Sequence, residues 1–288
     1  MKQVVASVCD KQAVREAMKG VDAVIHCAAL VPVTLIEDAD AMEKVNVQGT
    51  RNVVDACLEE SVTYLVYTGS VGVILDGATR AHEGPYAETK ALAESSCVMP
   101  AEALRNGLRR LHTIVIRLPL MYGELDHVFV PSLVRWSKRM FNVFFRLGTG
   151  FPVIYAGNAA SLHVRALDAM CEDSTLSGLC VAAVDDTPVD GVAFLSPLVV
   201  GHGISVSKGA VPYPLAIAFA VCTRGIAKAL APLFPGVRVA MLPKPSDVRF
   251  MYKGAFFNGS EAKEVLAWRP KYSPQEAVRM SRSFYDAL

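Results

Sequence analysis

Nowhere in its 288 residues does the chain carry a Gly-x-x-Gly-x-x-Gly turn. This removes from the visible sequence the motif that seats a dinucleotide pyrophosphate on a helix N-terminus. Cysteine patterning is also lacking. Seven cysteines lie scattered, with no Cys-x-x-Cys and no Cys/His group at zinc spacing. That excludes a zinc module or a disulfide framework, and metal ligation with them, and fits reduced thiols in the cytosol or on a cytosolic membrane face. Charge of one sign is missing too. With 29 basic and 28 acidic residues the formal net charge is +1, so nucleic acid and polyanions are not expected partners. Met1-Lys2-Gln3 leads straight into a strand-like run, so no signal peptide is expected. The sequon Asn258-Gly259-Ser260 has no meaning in such a compartment, and there are no internal repeats or low-complexity segments. Apolar residues, by contrast, are plentiful, at 52% of the chain with a mean hydropathy of +0.32. That supports a large core, in one α/β domain or a domain plus a lobe, with apolar surface left over for a membrane or a greasy ligand.

Within this chain the most informative feature is Tyr86 and Lys90, in Gly84-Pro85-Tyr86-Ala87-Glu88-Thr89-Lys90-Ala91. Positions i and i+4 share one helix face. An ammonium beside a phenol is expected to lower the phenol's pKa from about 10 towards neutrality, which suits it to exchange a proton with an alcohol. Alone the pair is a weak signal, because a surface tyrosine and a solvated lysine give the same spacing. The stretch before it, Leu65-Val66-Tyr67-Thr68-Gly69-Ser70, raises its weight. It reads as a buried strand ending in small hydroxyl residues, and ligand sites of open α/β sheets lie at such tips.

Periodicity predicts a strand at Val4–Val8 and a helix at Lys11–Lys19, capped by Asp10 and ended by Gly20. It predicts strands at Val21–Cys27, Thr63–Thr68 and Leu111–Leu118, and a helix from Asp38 to about Glu60. Further helices are expected from Tyr86 to about Leu104 and at Asn158–Met170, with a late strand at Leu179–Val184. Alternating strands and helices imply parallel pairing with right-handed crossovers. The run Tyr213–Cys222, flanked by Lys208, Arg224 and Lys228, is shorter than a membrane span of about 20 residues. It reads either as a helix lying in the bilayer interface or as a core helix with proline-rich ends. Gly254–Ala267 is expected to pack as helix and turn.

Four ordered blocks carry a family resemblance. They are Val24-Ile25-His26-Cys27-Ala28-Ala29, Val45-Asn46-Val47-Gln48-Gly49-Thr50-Arg51-Asn52, the Ser70/Tyr86/Lys90 set, and Arg117-Leu118-Pro119-Leu120-Met121-Tyr122-Gly123 followed by Tyr155-Ala156-Gly157-Asn158-Ala159-Ala160. Together they resemble the extended short-chain dehydrogenases, and among those most the 3β-hydroxysteroid dehydrogenase/isomerase group. The resemblance implies a Rossmann-like parallel sheet with helices on both faces plus a smaller mixed C-terminal lobe. The division expected is 1–125 as a partial dinucleotide-binding region and 126–288 as a substrate-binding and membrane-associating region interleaved with the sheet. It also implies a first strand, glycine turn and helix upstream of residue 1, so that this chain starts at the family's third strand. The adenine-contacting position at the end of that strand then falls on Ser7, next to Asp10, and the loop between Val71 and Tyr86 is shorter than the family's.

By the same resemblance Tyr86 is the general base, Lys90 tunes it and bonds the nicotinamide ribose, and Ser70 holds the substrate oxygen, with Thr68 as a helper. Ala28 and Ala29 admit the cofactor backbone, Leu118 and Pro119 meet the nicotinamide, and Tyr122 and Asn158 line the substrate pocket. The cofactor implied is NAD or NADP, with NAD favoured. His26 is expected to be structural rather than acid/base, and Asn46 to bond backbone near the active-site strand. Asp126, His127 and His163 show no metal pattern, and Arg105, Arg109 and Arg110 read as a solvated helix end. The expected activity is oxidation of a secondary hydroxyl on a steroid-like substrate, at the cytoplasmic face of the endoplasmic reticulum or another membrane, or in the cytoplasm. A homodimer and a membrane surface are the further partners; isomerisation has no signature of its own. Two alternatives stay open: a catalytically impaired form of the family, and a nucleotide-sugar epimerase or dihydroflavonol-reductase type enzyme.

Overall fold

The computed structural model describes residues 3–32, 37–74, 84–105, 111–148, 150–233, 244–253 and 257–287. In chain order the first half gives α1 (Lys11–Met18), β1 (Ala23–His26), α2 (Ala39–Met42), α3 (Gly49–Glu59), β2 (Tyr64–Ser70), α4 (Pro85–Arg105) and β3 (His112–Leu118). A π-helical stretch, Glu43–Gln48, joins α2 to α3 without a break. The second half gives β4 (Leu120–Tyr122), α5 (Phe129–Arg139), β5 (Val143–Leu147), β6 (Val153–Tyr155), α6 (Ala156–Glu172), β7 (Leu179–Ala182), α7 (Gly191–Val200), β8 (Ser205–Val211), α8 (Tyr213–Leu230), α9 (Pro245–Lys253), α10 (Ser260–Glu264) and α11 (Pro274–Asp286).

The main sheet is parallel in the order β1-β2-β3-β7. The middle stretches of its central strands, Leu65–Tyr67 and Ile114–Ile116, are apolar and buried because both faces of the sheet are covered. Val66, Ile114 and Ile116 pack with Leu162 and Ala166 of α6. Leu65, Tyr67 and Val115 point the other way, into a cluster with Val53 and Val54 of α3 and Ala93 and Cys97 of α4. Each such fully buried aliphatic side chain contributes about 1.5–3 kcal/mol. Strand β7 comes from the second half of the chain and closes the sheet beside β3, so the two halves interleave.

The segment 4–8 is not a strand. Val4 and Val5 are 51% and 94% exposed, and among the described residues no strand pairs with them. A strand needs a ladder partner. Here the chain is tethered instead by Asn52 Nδ2, which donates to the Val8 carbonyl at 3.0 Å. Helix α1 follows as expected, with Asp10 Oδ1 accepting from Ala13 N at 3.0 Å and Gly20 at φ +70° ending the turn.

The second half holds two small parallel sheets, β4–β6 and β5–β8, over an aromatic core that includes Tyr122, Trp136, Phe144, Phe151 and Tyr285. Gly148, at φ +66°, lies where β5 meets α9, and a Cβ there would run into the Met251 carbonyl. Helix α8 continues past the apolar run to 18 residues. Its inner face packs through Ala216 and Ala220 against Val248 of α9. Its outer face leaves Leu215, Phe219, Val221 and Ile226 exposed. The expectations for the 71–86 loop and for Arg109 and Arg110 fall largely or wholly outside the described residues, as does the side chain of Arg105.

Candidate active site

Strand β2 ends at Ser70, in register with Leu118 at the end of β3, so the two C-terminal tips form one ledge. Helix α4 starts at Pro85, a residue suited to a first helical turn. Its course over the sheet brings Tyr86 and Lys90 to that ledge. Lys90 is 2% exposed. Its Nζ donates to the Thr68 carbonyl at 2.6 Å and stands 4.4 Å from the centroid of the Tyr67 ring. Burial pulls the amine down to about 8, with the nearby Glu94 carboxylate acting in the other direction. Tyr86 does not follow the sequence expectation. Burial pushes its phenol above the ordinary range, with a hydrogen bond to Ser70 acting in the other direction. Helical spacing gives the shared face of Tyr86 and Lys90, but it carries no information on the loss of water around the phenol, and that loss is the larger effect. Ser70 Oγ also accepts from Gly72 N at 3.2 Å.

Ser70, Tyr86 and Lys90 line one cavity of about 720 Å³. Ala29, Leu118, Pro119 and Tyr122 line the same space, while most of the remaining wall is apolar, including Phe129, Leu133 and Phe250. Ala28 is exposed outside it. Asn158 is not on the wall either. It is 1% exposed, and its amide is fully engaged. Nδ2 donates to Asp185 Oδ2 and to the Tyr272 carbonyl, each at 2.9 Å, and Oδ1 accepts from Tyr272 N at 2.9 Å. Its position at the start of a family loop suggested a pocket residue; instead it fastens the closing segment to α6.

Several side chains hold the ledge in place. In the π-helical stretch, Asn46 accepts from Leu30 N at 2.7 Å and donates to Leu30 O and Thr89 Oγ1, both at 3.1 Å. This links the segment after β1 to the helix bearing Tyr86. His26 Nε2 meets Thr50 Oγ1 at 3.0 Å, and burial lowers its pKa to about 4, so it is a neutral packing residue. His163 Nδ1 lies 2.8 Å from the Ala159 carbonyl, which only accepts, so Nδ1 carries the proton. Its Nε2 then accepts from Thr68 Oγ1 at 2.8 Å. Glu94, one turn beyond Lys90, grips Arg117 through two bonds at 2.5 and 3.1 Å, tying α4 to β3. The sequence reading missed Glu94, although its i+4 spacing from Lys90 was a usable signal. It also missed a buried pair on the cavity wall, Glu37 and Lys244. No local pattern marks residues 207 positions apart.

A nicotinamide dinucleotide fits part of this arrangement. Lys90 has spare N–H donors beside the cavity, Ala29 is small, and Leu118 and Pro119 offer backbone at the strand end. These residues suit the nicotinamide-ribose end. The sequence holds no glycine-rich turn to which the pyrophosphate would be assigned. Among the described residues no group of three or more His, Cys, Asp or Glu is placed to hold a metal ion.

Comparison with known proteins places this geometry. The profile of the 3-beta hydroxysteroid dehydrogenase/isomerase family matches residues 1–214. The Arabidopsis thaliana protein named 3beta-hydroxysteroid-dehydrogenase/decarboxylase isoform 2 is 31% identical over 98% of this chain, which spans 52% of that relative's length. The Mus musculus sterol-4-alpha-carboxylate 3-dehydrogenase, decarboxylating, is 26% identical over 98% of this chain and 79% of its own. A short-chain dehydrogenase/reductase superfamily protein from Agrobacterium tumefaciens, solved with bound NAD, superposes with a TM-score of 0.66 at 16% identity, covering 98% of this chain and 85% of that one. The fold is therefore the Rossmann-like α/β fold of that superfamily, and the chain belongs to the 3-beta hydroxysteroid dehydrogenase/isomerase family, oxidoreductases that act on a CH–OH group.

Proposed function

We propose that the chain oxidises a secondary hydroxyl on a hydrophobic, sterol-like substrate with a nicotinamide dinucleotide, NAD in preference to NADP. The observation that carries this reading is the convergence of Ser70, Tyr86 and Lys90 on one wall of a mostly apolar cavity. The names of the sterol-metabolising relatives support it, as does the NAD held by the superposed structure. A cavity walled by Leu118, Phe129, Leu133 and Phe250 suits a fused-ring hydrocarbon.

In this reading Ser70 donates a hydrogen bond to the substrate oxygen and fixes it beside the Tyr86 phenol. Tyr86 takes the hydroxyl proton during oxidation and returns one during the reverse reaction. Lys90 would hold the nicotinamide ribose, and its charge beneath the site favours the phenolate once it forms. The nicotinamide, when bound, supplies the hydride acceptor. Apolar residues keep water away from the reacting carbon. The test is turnover of 3β-hydroxysterols against nucleotide sugars, followed by reduction of the nucleotide. Tyr86→Phe should lower kcat at least about a hundredfold, the usual contribution of a general base, with an unchanged circular dichroism spectrum. Undiminished turnover in that variant would remove Tyr86 from the reaction.

We infer also that the chain rests on a membrane surface through α8. Its outer face is apolar, it holds no acidic residue, and Arg224 and Lys228 flank the apolar stretch.

A further inference from the structure

Outside the Ser70/Tyr86/Lys90 set, one stretch of chain forms a continuous part of the cavity wall. Every residue from 122 to 129 lines it, and Ser132, Leu133 and Trp136 of α5 carry the lining on. The backbone of this stretch is not relaxed. Asp126 N donates to the Gly123 carbonyl at 3.2 Å and closes a turn. Within that turn Leu125 takes a φ of +68°, a conformation that costs a side-chain-bearing residue free energy and persists only where the surroundings enforce it. Packing of its own side chain does not enforce it, because Leu125 is 76% exposed. A restraint arrives from the far end of the chain. Tyr285 of α11 is fully buried. Its hydroxyl accepts from Gly123 N at 2.9 Å and donates to Asp126 Oδ2 at 3.0 Å, so one phenol grips both ends of the turn. Burial pushes this phenol above its ordinary range, so it stays a donor. Asp126 passes the restraint on. Oδ1 accepts from the amides of Val128 and Phe129 at 2.8 and 2.7 Å, and Oδ2 from that of Val130 at 2.8 Å, which satisfies donors at the start of α5. A second phenol, Tyr155, holds the Glu124 side chain at 2.8 Å, whereas Tyr285 takes the main chain of the turn. Tyr285 itself is not on the cavity wall.

We propose that Tyr285 is a positioning residue for the substrate: by clamping the Gly123–Asp126 turn and, through Asp126, the start of α5, it sets how closely the cavity fits the alcohol, without touching it and without a part in the proton transfer. This rests on the reading of the cavity as a sterol-alcohol site and deepens it. The residues assigned to the nucleotide, Ala29, Lys90 and Leu118, stand after β1, on α4 and on β3. The clamp acts elsewhere, on the turn after β4 and on α5, so its loss falls on the alcohol and spares the nucleotide. A wall held in one shape binds its ligand without first being ordered, and that is where the affinity comes from.

The experiment compares the full wild-type chain with Tyr285→Phe, which removes the hydroxyl and keeps the ring against Phe284. Binding of a 3β-hydroxysterol is read by tryptophan fluorescence, since Trp136 lines the cavity, and binding of NADH by its own fluorescence. The variant is expected to bind the sterol about tenfold more weakly, the equivalent of one hydrogen bond to a charged group. KM should rise alike, with kcat and NADH affinity as in the wild type. Amide hydrogen exchange over residues 123–130 should quicken, and exchange at the tip of β2 should not. Unchanged sterol affinity overturns the proposal, as does an equal loss of sterol and NADH affinity. A lowered melting temperature with both affinities intact makes Tyr285 a structural residue only and overturns it too. If Tyr285→Phe does not fold, the wild-type chain decides. Amides 123–130 that gain protection with sterol and not with NADH uphold the clamp; amides that exchange as freely as those of residues 4–8 overturn it. A wild-type chain that binds no sterol sinks this inference together with the sterol reading. The expected split in affinity without nucleotide-dependent turnover sinks only the dehydrogenase reading.

Discussion

Lys90 is an amine under strain from its surroundings. Its folded value of about 8 lies below the ordinary lysine range because burial disfavours the charged form. Below about pH 8 the side chain is an ammonium, and above it the proton is lost while an exposed lysine would still hold its own. Nucleotide affinity, if Lys90 supplies a charge to the ribose end, should therefore weaken as pH rises through about 8. Titration of NADH fluorescence across that range checks it, and affinity that stays flat would remove the charge from the binding step. Lys90→Arg keeps its charge throughout and should abolish the alkaline limb even where the absolute affinity falls. Residue-scale reading from sequence was strongest here, because the four-residue spacing of Tyr86 and Lys90 needs nothing beyond a helix. It was weakest wherever burial decides. The direction of the Tyr86 shift follows from burial of the phenol, which helical spacing does not report.

At the scale of elements, the strands and helices of the main sheet were legible because each is bounded by its own chemistry. Leu65–Tyr67 in β2 and Ile114–Ile116 in β3 are apolar runs, and α1 has its aspartate cap. The small sheets were not legible. β4 and β6 have 3 residues each, and their pairing depends on the aromatic core beneath rather than on any alternation of their own. The segment 4–8 has strand-like composition, but composition does not supply a neighbour. Asn158 shows how an element can be pinned by one side chain. Asn158→Ala would leave the Tyr272 backbone N–H and C=O and Asp185 each short of a partner. Urea unfolding should show a loss of about 3 kcal/mol, while the affinity for a cavity ligand stays as in the wild type. A raised KM without loss of stability would instead place Asn158 in substrate contact.

For the whole molecule, the distribution of apolar surface is the feature with the widest reach. Helix α8 turns Leu215 and Ile226 outwards at 63% and 59% exposure, and the helix packed beneath it, α9, forms part of the cavity wall through Arg249 and Met251. Leu215→Glu with Ile226→Glu should abolish cosedimentation with vesicles of mixed neutral and anionic phospholipid, and should leave the melting temperature unchanged because neither side chain is in the core. Cosedimentation that survives the double substitution would detach α8 from membrane contact. Composition had already announced the surplus of apolar surface; that it would sit next to the cavity could only be seen once α8 and α9 were packed together.

The wall that α9 forms is held at its distance by a single missing methyl group. Gly148 lets the end of β5 lie directly against the Met251 backbone, at a φ of +66° that side-chain-bearing residues rarely adopt. Bore and selectivity are thereby coupled through the main chain. A bulkier residue at this crossing would lever the helix outward like a wedge under a lintel and open the slot to thicker ligands, even though Gly148 itself touches none of them.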